Sequence, residues 1–349
     1  MKKIQVQDFT ISSENKPFII AEMSGNHNQS LERALEIIDA AAAAGGHAIK
    51  IQTSSPDMLT IDSSNEDFIV RGSNPDWEAK TLYNLYQEVY TPFEWHEAIF
   101  KRAKEKNIIA FSSPFGLEAV DFLETLDCPM YKIASFENNF IQLIEKVALT
   151  GKPVIISTGM ANLETLQDII DLFARVNNPN LILLKCTSTY PASAVDSNLL
   201  TIPHMESMFD CIIGLSDHTL GIGVAVAATA LGARVIEKHF TLNRKDGGLD
   251  ASFSLEPHEF KSLVEETEKA FDALGKVTYG ITTAEQKSIT FRRSIYVVED
   301  IKAGEVFTST NIRVIRPGKG LLPKFYNNII GKTSKQDISK GTALSWNNL

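Results

Sequence analysis

The chain has 349 residues, of which 44% are hydrophobic and 22% charged, values that an ordinary globular protein shows. This composition excludes a collagen, a coiled coil and a disordered chain. There are 34 Lys and Arg residues against 43 Asp and Glu residues, which gives a formal net charge of −9. We therefore expect no nucleic-acid partner, because non-specific binding to nucleic acid needs an excess of cations.

The cysteine content and the N-terminus indicate a cytoplasmic protein. The three cysteines form no CxxC pair, which argues against a disulfide framework and fits a reducing compartment. The first residues are charged and lack the apolar core of a signal peptide. The most continuous run of small apolar residues, Gly221–Gly232, is too short to cross a bilayer, so we expect no membrane association.

Short β-branched runs alternate with amphipathic stretches along most of the chain, which predicts parallel strands joined by helices. The runs are Phe18–Glu22, His47–Gln52, Ile108–Ser112, Met130–Ala134, Val154–Ser157, Leu181–Lys185, Ile212–Leu215 and Arg234–His239. Their number and spacing predict a (β/α)₈ TIM barrel over residues 1–276. A doubly wound open sheet is the alternative, but the segment after its first strand would usually be rich in glycine and here holds only Gly25.

The pattern changes after Lys276. We predict a linker over residues 277–290 and a small, mostly β domain over residues 291–349, whose thin core needs a larger neighbour. The long connection between the second and third strands holds several aromatic residues, among them Trp77 and Tyr86, and is expected to be a lid or a binding element.

Polar or ionisable residues follow every predicted barrel strand. Because the sites of (β/α)₈ enzymes lie at the carboxyl ends of their strands, these residues predict a functional barrel mouth. They are Glu22, Lys50, Gln52, Ser112, Ser113, Lys132, Ser135, Glu137, Ser157, Thr158, Lys185, Thr187, Ser188, Tyr190, Asp217, His218, Glu237, Lys238 and His239.

Two lysines of this set, Lys50 and Lys132, stand inside apolar strand sequence. A buried lysine is costly without an anion, so the pair favours a phosphate or phosphorylated ligand. Structural ion pairs of these lysines with Glu22, Glu137 or Glu237 remain an open alternative. Three serines could add hydroxyl donors at the same rim, namely Ser113, Ser135 and Ser157.

His218 and His239 follow neighbouring strands and favour a divalent metal. Two imidazoles with carboxylate or water oxygens suit Mn²⁺, Fe²⁺ or Co²⁺, and no third His or Cys has the spacing of a zinc site. For either histidine alone, a hydrogen-bonded structural role stays open. These residues predict a barrel enzyme that binds a phosphate and a metal, but they do not specify its reaction.

Longer motifs resemble those of the sialic acid synthase family in order and spacing, over nearly the whole chain. They are Ile20–Asn28, Ile49–Thr53, Phe111–Phe115, Tyr131–Glu137, Ser157–Met160, Gly214–Thr219 and Glu237–Thr241, and, in the tail, Phe291–Ser294, Ile301–Glu305 and Arg316–Gly318. The tail motifs resemble the antifreeze-like (SAF) domain of that family.

The resemblance implies a transferase that condenses phosphoenolpyruvate with an open-chain amino sugar. Phosphoenolpyruvate would be bound by Lys50, Gln52, Ser113, Lys132, Ser135 and Ser157. The sugar would be bound by Ser188, Tyr190, Asp250 and Arg316. Catalytic roles would fall to Glu22, Glu137, His218 and His239. The two histidines would also hold a divalent cation, which we expect to be Mn²⁺, with Mg²⁺ or Co²⁺ as alternatives.

Details within these motifs most resemble the pseudaminic acid branch of the family. Ser188 stands where N-acetylneuraminate synthases usually carry Asn, and Glu22–Gly25 differs from their Glu-Ile-Gly run. The expected acceptor is 2,4-diacetamido-2,4,6-trideoxy-L-altrose; the legionaminic acid and N-acetylneuraminate branches remain alternatives. The resemblance also implies a domain-swapped homodimer, in which Arg316 of one chain reaches the partner's barrel.

Two readings outside the family also stay open. A Schiff-base aldolase on the same barrel would use a lysine and need no metal. A non-catalytic carbohydrate- or ice-binding protein is suggested only by the name of the tail domain, and an ionisable barrel mouth argues against it.

Overall fold

A computed structural model describes residues 2–71 and 78–349, so Trp77 of the predicted lid lies outside the described residues. The chain divides into two compact units, Met1–Gly275 and Lys276–Leu349. The first unit opens with an antiparallel hairpin, β1 (Lys3–Val6) and β2 (Phe9–Ser12). Ile4, Val6 and Ile11 of this hairpin are buried in the core of the first unit.

Eight parallel strands then close into a barrel, which confirms the predicted TIM-barrel fold. They are β3 (Phe18–Glu22), β4 (Ala48–Thr53), β5 (Ile109–Pro114), β6 (Tyr131–Ile133), β7 (Val154–Ser157), β8 (Leu181–Cys186), β9 (Ile212–Asp217) and β10 (Val235–His239). The strands form because β-branched residues fill them and are buried on both faces, as Val154, Ile155 and Ile156 are in β7.

The register at the closure of the barrel decides which strand-end side chains become neighbours. β10 pairs with β3 so that His239 lies opposite Glu22, and β3 pairs with β4 so that Glu22 lies opposite Lys50. One side chain from each of three adjacent strands therefore reaches the same level of the barrel mouth.

The helices of the first unit lie between the strands in sequence, and the apolar stripes on them are buried in the core of this unit. They are α1 (Leu31–Ala43), α2 (Pro56–Leu59), α3 (Leu82–Val89), α4 (His96–Glu105), α5 (Leu117–Glu124), α6 (Ile141–Leu149), α7 (Leu163–Arg175), α8 (Thr201–Met208), α9 (Gly223–Ala230) and α10 (Pro257–Leu274). Some of these helices have side-chain caps at their starts: Ser30 accepts from the N–H of Arg33 in α1, and Glu256 and Glu259 form a capping box at α10.

The second unit has a hydrophobic core of its own. Its antiparallel strands are β11 (Ser294–Val297) and β12 (Ile312–Ile315), and α11 (Tyr326–Ile329) is its short helix. Ile295, Phe307, Ile312 and Leu344 are all fully buried at its centre. Within residues 2–71 and 78–349, no helix combines the length and apolar character that crossing a membrane requires.

Candidate active site

The barrel brings most of the predicted site residues to one mouth, at the carboxyl ends of its strands. Those on strands β3 to β7 and β10 are Glu22, Lys50, Gln52, Ser113, Lys132, Ser157 and His239. Those on the segments that follow β6, β8, β9 and β10 are Ser135, Glu137, Ser188, Tyr190, His218 and Asp250. Arg316 is the exception, because it belongs to the second unit, where it is exposed directly after β12.

Four buried charges, Glu22, Lys50, Lys132 and Glu237, form a set that we call the mouth cluster. Lys50 Nζ lies 2.8 Å from Glu22 Oε2 and 3.5 Å from Glu237 Oε1. Lys132 Nζ lies 3.7 Å from the same oxygen of Glu237. The ion pairs that the sequence left open are therefore present, but they are shared, since one carboxylate oxygen serves both lysines.

Hydroxyl groups accompany both lysines. Lys132 Nζ donates to Ser157 Oγ at 2.7 Å, and Lys50 Nζ donates to Ser113 Oγ at 3.4 Å. Cations and hydroxyls within one buried pocket are the donor set that a phosphate needs, because each phosphate oxygen accepts more than one hydrogen bond.

The mouth cluster shifts the protonation of its own members. Burial raises the pKa of Glu22, and the charge of Glu237 adds to this rise. Burial alone would also raise the pKa of Glu237, but Lys132 and Lys50 outweigh it and hold that pKa below its ordinary value. Burial lowers the pKa of Lys132, and Glu237 offsets only part of this. An incoming anion would favour the charged form of Lys132.

Glu137 is a candidate acid–base group at the rim of the same pocket. Burial raises its pKa to about 7, and Lys132 opposes the rise only in part. Its Oε2 atom is buried and has no hydrogen-bond partner within the described residues. A carboxyl group with a pKa near neutrality can both release and accept a proton at physiological pH.

The two predicted metal ligands are neighbours, with the ring centroids of His218 and His239 5.3 Å apart. His218 Nδ1 lies 3.0 Å from the carbonyl oxygen of Thr187, which leaves Nε2 of His218 available as a ligand. His239 Nδ1 is buried without a partner among the described residues, and burial lowers the pKa of His239 well below its ordinary value. His239 can therefore offer a lone pair. Burial alone would also lower the pKa of His218, but Cys186 outweighs burial and raises that pKa, so a cation at His218 would compete with a proton.

The part of the chain that the structure describes holds no complete metal site built from protein side chains alone. Among residues 2–71 and 78–349, no three side chains of His, Cys, Asp or Glu group together as metal ligands. The two imidazoles fit a divalent ion whose remaining ligands are water or substrate oxygens, as a catalytic metal requires.

Aromatic rings line the wall beside the histidines. The centroid of Tyr190 lies 4.4 Å from that of His218, and the buried ring of Phe253 lies 5.0 Å from that of His239. Phe136 is 59% exposed, and its ring centroid is 6.5 Å from that of Tyr190. This end of the site therefore offers apolar surface as well as polar groups.

Gly159 allows two serines of the site to approach its backbone. A Cβ atom at this position would lie 2.1 Å from Ser188 Oγ and 2.6 Å from Ser135 Oγ, which no side chain can tolerate without displacement. Ser135 is predicted to contact phosphoenolpyruvate and Ser188 the sugar, so Gly159 lies where the two predicted halves of the site meet.

A second buried ion pair lies on the opposite face of β10 from Glu237. Lys238 Nζ is 2.7 Å from Asp217 Oδ2 and also donates to the carbonyl oxygen of Thr219. Asp217 Oδ1 accepts from the N–H of Thr219 at 2.9 Å. We call Asp217 and Lys238 the outer pair.

The structure adds residues that the sequence did not assign to the site. Glu237 was recognised as a strand-end residue but was not given a site role, although it contacts both lysines of the mouth cluster. Phe253 had no strand-end position to mark it, and its signal was closeness in sequence to Asp250. Ser24 stands two residues after Glu22, in the Glu22–Gly25 run that distinguishes the branches of the family, but it was given no site role.

A family model described as the NeuB family matches residues 37–279, and a model of the SAF domain matches residues 292–349. The chain belongs to the NeuB family. The family match covers most of the barrel, and the SAF match covers the second unit, so both predicted parts of the resemblance are confirmed.

Relatives of this NeuB-family chain cover almost its full length. The pseudaminic acid synthase of Campylobacter jejuni is 46% identical over 98% of this chain and 98% of its own. The pseudaminic acid synthase of Helicobacter pylori is 44% identical over 94% of this chain and 96% of its own. The crystal structure of the N-acetylneuraminic acid synthetase from Leptospira borgpetersenii, in complex with citrate, superposes with a TM-score of 0.72 at 34% identity and covers 82% of this chain and 95% of its own.

Proposed function

We propose that this chain is a pseudaminic acid synthase. It condenses phosphoenolpyruvate, 2,4-diacetamido-2,4,6-trideoxy-L-altrose and water to give pseudaminic acid and inorganic phosphate. The observation that carries this proposal is the buried cluster at the barrel mouth, in which two lysines with serine hydroxyls lie beside Glu137 and two imidazoles. The two pseudaminic acid synthases that match nearly the whole chain support it.

Phosphoenolpyruvate occupies the floor of the pocket in this proposal. Its phosphate takes hydrogen bonds from Lys50 and Lys132 and from Ser113, Ser135 and Ser157. The carboxylates of the mouth cluster favour the charged form of both lysines before the substrate arrives, although for Lys132 they offset only part of the burial that lowers its pKa. Lysines held in position in this way stabilise phosphate charge without reorganisation during the reaction.

The reaction forms one carbon–carbon bond and breaks one carbon–oxygen bond. C3 of phosphoenolpyruvate attacks the sugar aldehyde, water adds to C2, and phosphate leaves with its bridging oxygen. The aldehyde oxygen must gain a proton and the attacking water must lose one. Glu137, with its pKa of about 7, can serve one of these transfers, and Glu22 is the second candidate.

His218 and His239 would hold the divalent cation, which we propose to be Mn²⁺, with Mg²⁺ or Co²⁺ as alternatives. When bound there, the ion would polarise the aldehyde oxygen of the sugar. Neighbouring residues orient the two imidazole rings: the carbonyl oxygen of Thr187 fixes the ring of His218, and Phe253 packs against the ring of His239. Chelation should abolish turnover, and His218→Ala should lose Mn²⁺ binding in electron paramagnetic resonance titrations.

The sugar lies toward Ser188, Tyr190 and Asp250. The expected acceptor lacks a 6-hydroxyl group and carries a second acetamido group, so it presents more apolar surface than N-acetylmannosamine. The rings of Tyr190, Phe136 and Phe253 supply matching apolar surface. This match favours a 2,4-diacetamido acceptor over N-acetylmannosamine, and the two pseudaminic acid synthases that match nearly the whole chain favour the pseudaminate stereoisomer.

We further propose that the chain forms a domain-swapped homodimer, in which Arg316 of one chain contacts the sugar in the partner's barrel. We propose the cytoplasm as its location. An exposed arginine suits the contact with the sugar because its planar guanidinium can donate two hydrogen bonds to an acetamido or carboxylate group. Mixing Arg316→Ala with His218→Ala chains should restore one working site in each mixed dimer. Mixed dimers without recovered activity would overturn the arrangement.

The function is tested by phosphate release from phosphoenolpyruvate with three acceptors: the 2,4-diacetamido-altrose, the legionaminate precursor and N-acetylmannosamine. The altrose sugar should give the highest kcat/KM by at least tenfold. Equal kcat/KM values for the three acceptors would support membership of the family but not the pseudaminate assignment. A higher kcat/KM for another acceptor would assign the chain to the branch that uses that acceptor. Borohydride in the presence of phosphoenolpyruvate or pyruvate should leave no lysine adduct, whereas a Schiff-base aldolase would retain one.

A further inference from the structure

Ser24 lies directly after β3, at the start of a 3₁₀ turn over Ser24–His27, with a φ angle of +46°. Residues other than glycine rarely adopt this left-handed backbone conformation, because the Cβ atom crowds the chain. Ser24 is also only 6% exposed. A glycine would adopt the same backbone without strain, so what the serine adds at this position is its hydroxyl group.

That hydroxyl lies between two polar side chains of the site. Ser24 Oγ donates to Asp250 Oδ2 at 2.5 Å, and it accepts from Gln52 Nε2 at 3.1 Å. Gln52 Nε2 also donates to Glu22 Oε1 at 2.9 Å, and Glu22 pairs with Lys50. A continuous chain of hydrogen bonds thus runs from Asp250 through Ser24 and Gln52 to the mouth cluster.

Asp250 has few other means of holding its position. It lies on the segment between β10 and α10, and its carboxylate is 226 positions away in sequence from the serine that donates to it. Apart from the Ser24 hydroxyl, the backbone N–H of Gly25 donates to this carboxylate. Removing the Ser24 hydroxyl would therefore leave a buried carboxylate with one donor and free its side chain to rotate.

We propose that Ser24 is a positioning residue that orients the Asp250 carboxylate toward the sugar and joins it to the phosphoenolpyruvate side of the site. This inference rests on the proposed function, because it takes the sugar as the ligand of Asp250. Ser24 itself need not touch either substrate. Its effect should appear mainly in the sugar kinetics, since the lysines and serines around the phosphate are contacted by other residues.

Two variants separate the hydroxyl from the backbone strain. Ser24→Ala removes the hydroxyl and keeps a Cβ atom in the left-handed conformation, whereas Ser24→Gly removes both. We expect both to lower kcat/KM for the sugar by about tenfold to a hundredfold, as for a hydrogen bond lost from a charged group. The KM for phosphoenolpyruvate should change by less than about threefold, and Ser24→Gly should melt at a higher temperature than Ser24→Ala.

The matched control is Asn107→Gly, which relieves a φ angle of +56° in the loop after α4, at a residue without a site role. It should leave the kinetics unchanged. In a double-mutant cycle, Ser24→Ala should cost less than about threefold when Asp250 is already Ala, because either change alone breaks the same contact.

Three results would overturn the inference: wild-type sugar kinetics in Ser24→Gly, kinetic losses that follow melting temperature, or losses that multiply fully in the double variant. The wild-type enzyme is assayed first with the 2,4-diacetamido sugar. Absence of turnover there rejects the proposed function, whereas an active wild type with unaffected Ser24 variants rejects only the role of Ser24.

Discussion

The mouth cluster and the outer pair are both buried ion networks with one member on β10, Glu237 and Lys238 respectively, but they differ in how their charges are satisfied. In the outer pair, Lys238 and Asp217 each have one ionic partner, and their remaining hydrogen bonds go to the backbone of Thr219. In the mouth cluster, two lysines share one oxygen of Glu237, and the other oxygen, Oε2, has no hydrogen-bond partner within the described residues.

This difference separates a structural ion pair from a ligand site. A buried pair with every donor and acceptor used has nothing left to offer a ligand, and it stabilises one geometry. A buried cluster in which charges share partners and some polar atoms have none lowers the stability of the fold. Its cations gain a further partner when an anion binds. Glu237 and Lys238 are neighbours in sequence but belong to different networks, because successive side chains of β10 point to opposite faces.

The largest expected effect is that of Lys132→Met on catalysis. This change removes a cation that faces the phosphate, so kcat/KM for phosphoenolpyruvate should fall by about a thousandfold, as when a preorganised electrostatic contact is lost. Phosphate release by purified, folded enzyme measures it.

The control for Lys132→Met is Lys238→Met, which removes a buried lysine from the outer pair. Its kcat/KM, corrected for the folded fraction, should stay within about tenfold of the wild-type value. Equal losses in the two variants would contradict the distinction between the two networks.

Stability should show the opposite order. Lys238→Met leaves Asp217 buried without its cation, which should lower the free energy of unfolding by about 3–5 kcal/mol. Lys132→Met should cost clearly less, because Glu237 keeps Lys50 at 3.5 Å. Urea denaturation of the ligand-free variants measures both.

A double variant, Asp217→Leu with Lys238→Met, tests whether the instability of Lys238→Met comes from the unpaired Asp217. Replacing a closed ion pair by apolar residues of similar volume is often neutral, so most of the stability lost in Lys238→Met should return. A double variant as unstable as the single one would show that the bonds to Thr219, and not the ion pair, carry the effect.

The sequence could predict the barrel and most of the site because both depend on local patterns. The β-branched runs mark the strands, and Glu22, Lys50 and His239 are recognisable because they stand where such runs end. The sequence offered Glu237 as one of three glutamates that could pair with the lysines, but its contact with both Lys50 and Lys132 depends on the register around the closed barrel. The φ angle of Ser24 is likewise invisible in a residue type that seldom adopts it.

Glu137 gives a pH-dependent effect of intermediate size. Its pKa is raised from an ordinary 4.5 to about 7, so the folded chain binds its proton more tightly than the unfolded chain does. The resulting stability is fully present below about pH 4.5 and is lost as the pH rises through about 7. Relative to Glu137→Gln, which does not titrate, the wild type should lose about 1–3 kcal/mol between pH 5 and pH 8.

Denaturation of both proteins at several pH values measures this difference. A constant gap between the wild type and Glu137→Gln across the range would mean that Glu137 is ionised throughout. It would then be a poor candidate for the proton transfer proposed above.

The smallest expected effect is that of Gly159→Ala, and it tests how the two halves of the mouth are joined. The new Cβ atom would lie 2.1 Å from Ser188 Oγ, 2.6 Å from Ser135 Oγ and 2.9 Å from Ser135 Cβ, so both serines must move. Overpacking of this kind costs about 1–3 kcal/mol. The KM values for both substrates should rise several-fold, and more for the sugar, because the nearest atom belongs to Ser188.

Gly223→Ala, where a Cβ atom meets nothing within 4 Å, is the matched control and should leave the kinetics unchanged. Adding Ser188→Ala to Gly159→Ala removes the closest clash but leaves the new Cβ atom 2.6 Å from Ser135 Oγ, so the KM for phosphoenolpyruvate should stay raised. The KM for the sugar should stay raised too, because the Ser188 hydroxyl is gone. Recovery of the sugar KM would show that the Ser188 hydroxyl does not contact the sugar, and the basis for assigning the acceptor from this position would be lost.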